Sequence, residues 1–168
     1  IMVTDKNGDQ ATGSVTFKIT QKVPTVPPNA TPSSTTPSDG DIRITSLQNG
    51  DPVNSSMRVK GSYKNEIQED IWVFLCPDAA AGKCWPQSDD AKKGTPAKKT
   101  NGSWYQTCWF SSGNDFDVVV YTATSVASQF IGNNLKEWFK NNDYTGFYQE
   151  ELPDGLVEKC RITVTLKK

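Results

Sequence analysis

Polar and apolar residues alternate with period two in several short stretches of this chain, and in one longer stretch they follow a helical period. Ser14-Val15-Thr16-Phe17-Lys18-Ile19-Thr20 places Val15, Phe17 and Ile19 on one face of a strand. Ile42-Arg43-Ile44, Met57 to Tyr63, Trp104 to Phe110, Phe116 to Tyr121 and Arg161 to Leu166 read the same way. In the last of these Ile162, Val164 and Leu166 point inward. Ile71-Trp72-Val73-Phe74-Leu75 is apolar on both faces, which predicts a central strand covered from both sides. Between Ser125 and Asn141 the apolar positions are Ala127, Phe130, Ile131, Leu135, Trp138 and Phe139, a single helical stripe. Thr124 or Ser125 suits its N-cap and Asn141-Asn142 its end, while Gly132 weakens its middle by about 1 kcal/mol relative to alanine. The expected fold is mainly β: an immunoglobulin-like antiparallel β-sandwich with one crossover helix on a sheet.

Ahead of this unit the pattern changes. Residues Val3 to Thr20 read as a β-hairpin, with Asn7-Gly8 or Gly13 at the reversal. Pro/Ser/Thr-rich chain follows, and Val23 to Ser38 (VPTVPPNATPSSTTPS) predicts an extended, polyproline-like linker. The expected organisation is a strand segment over 1–22, a linker over 23–41 and a sandwich domain over 42–168. A lone hairpin is marginal in water, so the leading segment must pack on another domain or on a neighbouring molecule. Donated to a neighbour's sheet edge, it would place Val15, Phe17 and Ile19 in pockets, giving a head-to-tail contact that does not close.

Composition narrows the chemistry. A net charge of -1 gives no reason to expect nucleic acid or an acidic membrane as partner. Lys92, Lys93, Lys98 and Lys99 are interrupted by Gly94 and Pro96 and read as a solvated loop. There is no histidine, which removes the commonest general base, nucleophile partner and zinc ligand. The four cysteines lack zinc spacing, and their even number favours disulfides and an oxidising, extracellular compartment. Of three pairings, Cys76–Cys84 with Cys108–Cys160 is expected; the second, closing a long loop, would contribute roughly 4 kcal/mol. No apolar run is long enough to span a membrane, and any signal peptide or anchor is expected outside this segment.

Two stretches carry a family resemblance. VTDKNGDQATGSVTFKIT resembles the last strands of bacterial and archaeal immunoglobulin-like repeats of the PKD or cadherin type. The second unit resembles the immunoglobulin-like accessory domains of prokaryotic surface proteins. Ile42-Arg43-Ile44, Asn49-Gly50-Asp51-Pro52-Val53, Val59-Lys60-Gly61, Ile71-Trp72-Val73, Gly102-Ser103-Trp104 and Leu152-Pro153-Asp154-Gly155 carry that likeness. The cysteines and the helix are not part of the general pattern. The resemblance implies attachment, spacing or assembly at a cell surface, with copies of itself or neighbouring surface domains as partners.

Candidate sites are few. Asp5, Asn7 and Asp9 alternate like calcium ligands, and Asp39, Asp41 and Asp51 could add to them by analogy with cadherin-type junctions. The run lacks the glycine and bidentate Glu of a calcium loop, so a turn explains it equally well and no other cofactor is expected. The pairs Glu69-Asp70, Asp89-Asp90 and Glu150-Glu151 are adjacent, diverge in extended chain and form no ready acid/base couple, so no catalytic residues are assigned. Asn29, Asn54 and Asn101 open N-glycosylation triplets. Trp85, Trp104 and Trp109 lie near turns or strand ends, where aromatic platforms could stack on sugar rings; Trp72 and Trp138 read as core. The expected function is therefore a non-enzymatic structural subunit of a filament, sheath or surface layer, with carbohydrate binding or adhesion as the rival.

Overall fold

A computed structural model describes residues 42–64 and 67–167, together with the backbone of two short strands at 2–4 and 10–12. The chain divides into two compact units, Ile1–Ser34 and Thr35–Lys168. In the first, β1 (Met2–Thr4) pairs antiparallel with β2 (Gln10–Thr12), Val3 opposite Ala11. The expected reversal residues Asn7, Gly8 and Gly13 lie outside the described residues. The proposed calcium residues Asp5, Asn7 and Asp9, the assembly residues Val15, Phe17 and Ile19, and Asn29, Asp39 and Asp41 lie outside the described residues.

The second unit is mainly β, with two sheets and one helix. Its strands are β3 (Ile42–Ile44), β4 (Pro52–Val53), β5 (Ser56–Tyr63), β6 (Asp70–Pro77), β7 (Trp85–Pro86), β8 (Lys98–Thr100), β9 (Ser103–Trp109), β10 (Asp115–Ala123) and β11 (Leu156–Leu166). One sheet, curled, has the order β3-β5-β9-β8, and the other β4-β11-β10-β6-β7. Helix α1 (Ser125–Asn141) packs on the second sheet, which is thereby the middle of three layers.

The double-sided pattern of β6 has its cause here. Ile71, Val73 and Leu75 join Val59, Trp104, Val118 and Val164 between the sheets. Trp72 and Phe74 join Ala127, Ile131, Leu135 and Trp138 beneath the helix. The Trp72 indole, fully buried, donates to Ser128 Oγ at 3.0 Å, and Ser128 donates to Asp70 Oδ2 at 2.5 Å, so the buried N–H does not go unpaired.

The helix begins as its sequence predicts: Thr124 Oγ1 accepts from Ala127 N at 3.3 Å, and Asn142 ends it at φ 51°. It is not a crossover. β10 and β11 are antiparallel neighbours, so α1 is an excursion between two adjacent strands and covers their outer face. Gly132 has a packing reason: the backbone of Gly94 lies directly on it, and a Cβ there would stand 2.6 Å from Gly94 O. β11 carries one extra residue, Lys159, where Val120 pairs with Cys160 but Tyr121 with Glu158.

Two other expectations are corrected. Cys76 and Cys84 are disulfide-bonded, but Cys108 and Cys160 are free thiols. The Cys160 thiol meets the backbone of Ile44, which pairs with Gly61, which pairs with Trp104. Cys108 is therefore two strand spacings across and four residues along, about 10 Å by about 13 Å, beyond the reach of a disulfide. Nor are all four lysines a solvated loop. Lys98 and Lys99 lie on β8, an edge strand, where Lys99 Nζ donates to Glu69 O at 2.8 Å and Ile67 O at 3.2 Å. Lysines suit an edge that must not pair with another chain.

Candidate functional site

The disulfide closes the turn between β6 and β7. Within it a 3-10 turn, Asp78–Ala80, ends at Ala81 with φ 50°, and Asp78 Oδ1 accepts from Ala79 N at 2.8 Å and Asn114 N at 3.2 Å. Cys84 and Phe147 exchange two backbone hydrogen bonds of 2.9 Å, which draws the 144–147 segment onto β7. The Trp85 ring rests on Gly146 (φ 71°), where a Cβ would come within 2.6 Å of it, and its Nε1 donates to Tyr144 O at 3.1 Å. Only glycine permits that approach.

Beyond β7 two polar side chains tie the sheets together. Gln87 Nε2 donates to Trp85 O at 3.1 Å, and its Oε1 accepts from Trp109 N at 3.0 Å. Asp89 Oδ1 accepts from Gln106 Nε2 at 3.1 Å and Thr107 N at 3.0 Å, while Oδ2 faces Lys98 Nζ at 3.6 Å. Gln87 and Asp89 thus lash the edge of one sheet to β9 of the other. A groove of about 820 Å³ opens along this seam. Trp85, Trp109 and Tyr144 supply its aromatic walls with Pro77 and Pro86 beside them, and Asp89 is its one charged lining residue. Trp109 is 48% exposed and Tyr144 45%. Among the described residues neither the Trp109 Nε1–H nor the Tyr144 hydroxyl has a partner, so both stand as donors at the surface.

The predicted site residues separate accordingly. Trp85 and Trp109 come together in the groove. Trp104 does not: it is 1% exposed and its ring lies over Gly61, a core residue unavailable to a glycan. Asn54 and Asn101 are exposed, Asn101 in the tight β8–β9 turn with φ 45°. One member at least of each carboxylate pair is engaged within the fold: Asp70 by Ser128, Asp90 by Lys93 and Glu151 by the Tyr148 amide at 2.7 Å. Asp51 accepts from Gln48 N at 2.7 Å, and among the described residues no cluster of three His, Cys, Asp or Glu could hold a metal. The free thiols are pushed upward chiefly by burial, Cys108 far out of range and Cys160 to about 11, so neither is a nucleophile near neutral pH. Tyr144 and Gln87 were not marked by the sequence, and Asp89 was read only as half of an adjacent carboxylate pair. The Thr145-Gly146-Phe147 stretch was the available sign, a glycine beside an aromatic where chain must approach closely. No helix among the described residues is long and apolar enough to cross a membrane. The chain matches no family model and no curated protein.

Proposed function

We propose that this chain is a non-enzymatic, extracellular structural module of a cell-surface protein, joined to copies of itself in a filament, sheath or layer by strand addition. Its folded unit is read as immunoglobulin-like. The order β3-β5-β9-β8 facing β11-β10-β6 supports this, since it corresponds to the four- and three-stranded sheets of that architecture, and β4 and β7 extend the second sheet at its two sides.

The observation that carries the assembly reading is the free side of β11. This strand runs for eleven residues, yet β4 pairs only with Thr165 and Leu166, and Asn49 and Gly50 cover Thr163. Among the described residues no strand lies beside Leu156 to Arg161 on that side. An unpaired edge of this length is a template for a further strand, and the alternating segment Ser14 to Thr20 is the expected donor. Electron microscopy of the intact chain beside a variant lacking residues 1–22 tests this. Filaments or sheets from the intact chain alone are expected; assembly that survives the deletion overturns strand addition.

A further inference from the structure

The groove and the linker complement one another. The groove is walled by aromatic rings and prolines, presents two unpaired donors, and has as its single charge an Asp89 already facing Lys98. Val23 to Ser38 contains five prolines and not one charged residue. A polyproline segment offers ring faces for aromatic walls and carbonyls that no internal hydrogen bond uses, and it loses little entropy on docking because it is already extended. Neutral lining meets neutral ligand, with indole N–H and phenol O–H opposite backbone acceptors.

On β5, Ile42 opposes Tyr63 at one end, while Trp109 opposes Ser56 at the other. Those seven residues separate the start of the domain from the Trp109 wall by about 24 Å. Ile42, the first described residue of the domain, and the Trp109 wall thus lie at opposite ends of β5, so a contact from chain entering at Ile42 of one copy to the groove of the next repeats head to tail without closing.

We infer that the groove of Trp85, Trp109 and Tyr144 binds the proline-rich linker, residues 23–38, of a second copy of this chain. This rests on the self-assembly reading and gives it a direction that the β11 edge alone does not. Trp109 supplies a wall and a donor. Trp85, fixed by Gly146 and the Tyr144 carbonyl, supplies a rigid second wall, so little is lost in ordering the site.

The test uses the full chain. A synthetic peptide of residues 23–38 is titrated while tryptophan fluorescence is followed, beside the same peptide with its prolines replaced by alanine. Self-association of the unaltered chain and of Trp109→Ala is measured by sedimentation against concentration. The native peptide is expected to shift the fluorescence and dissociate the assembled chain, equally at low and high salt, and the alanine peptide to do neither. Trp109→Ala is expected to weaken both peptide binding and self-association by about tenfold or more. Silence of the unaltered chain towards the peptide overturns the inference whether or not the variant folds, as does a fluorescence response to oligosaccharides in its place. Association lost on deleting residues 1–22 but kept in Trp109→Ala leaves strand addition standing and removes linker docking. The reverse pattern removes strand addition alone, and a monomer at every concentration removes both.

Discussion

Gly61 shows how much one side chain's absence can decide. It lies on β5 between the Arg43 carbonyl and the indole of Trp104, and any Cβ would run into both. Gly61→Ala is expected to cost about 3 kcal/mol, seen as a lowered urea midpoint with an unchanged slope. The Val59-Lys60-Gly61 pattern marked the position, but not that a tryptophan from the next strand fills the missing volume. Trp104 looked available for that reason: its neighbours Ser103 and Tyr105 sit by a turn, and only the pairing of β5 with β9 directs it inward. Cys160 offers a second test. Burial holds its thiol neutral in the fold, raising it from the ordinary 9.0 to about 11. A neutral thiol favoured by the folded state contributes fully below pH 9 and progressively less as pH rises towards 11. Unfolding at the two ends of that window should differ between the native chain and Cys160→Ala by about 2 to 3 kcal/mol.

At the level of elements, helix α1 sets two effects against each other at Gly132. Alanine there gains about 1 kcal/mol of helix propensity but drives a methyl group into the Gly94 carbonyl, a backbone atom that cannot swing aside. Overpacking of this kind costs about 1 to 3 kcal/mol, so Gly132→Ala is expected to lower the melting temperature rather than raise it. The span and caps of the helix were legible because they are local, but Phe130 and Phe139 of the predicted stripe stand exposed, and Ser128 and Gly132 are buried in the contact face. That the helix returns to the adjacent strand was not legible, since pairing of β10 with β11 is a long-range choice. The short strands β4, β7 and β8 were illegible for a related cause: Pro52-Val53 and Trp85-Pro86 are too short to alternate and Lys98-Lys99-Thr100 has no apolar residue, whereas the equally short β3 shows its alternation in Ile42-Arg43-Ile44. The Cys76–Cys84 disulfide tightens the turn that feeds β7 and the groove. Replacing both cysteines by alanine should cost about 2.5 kcal/mol in chemical denaturation, the loop-closure value for so short a ring, while leaving Cys108 and Cys160 unreactive to alkylation in the folded protein.

Across the whole domain, stability should be graded from the middle layer outward. β6 and β10 are covered on both faces, whereas no strand among the described residues pairs with Leu156 to Arg161 on the outer side of β11. Hydrogen exchange is expected to be slowest in β6 and β10 and fastest along that stretch in dilute chain, with protection rising there on assembly. Equal protection of the stretch in dilute monomer would mean the edge is already filled. The two-sided core was readable from Ile71 to Leu75 alone; the groove was not, because it is assembled from five separate segments that meet only after both sheets have formed. One arrangement bears on tension. β4 follows soon after the domain's first strand, β11 is its last, and the two run parallel with Pro52 beside Thr165 and Val53 beside Leu166. A pull on the two ends of the domain therefore slides these strands past one another and loads their hydrogen bonds together rather than one by one, so this short pair is the clasp that must shear before the layers of a stretched molecule can part.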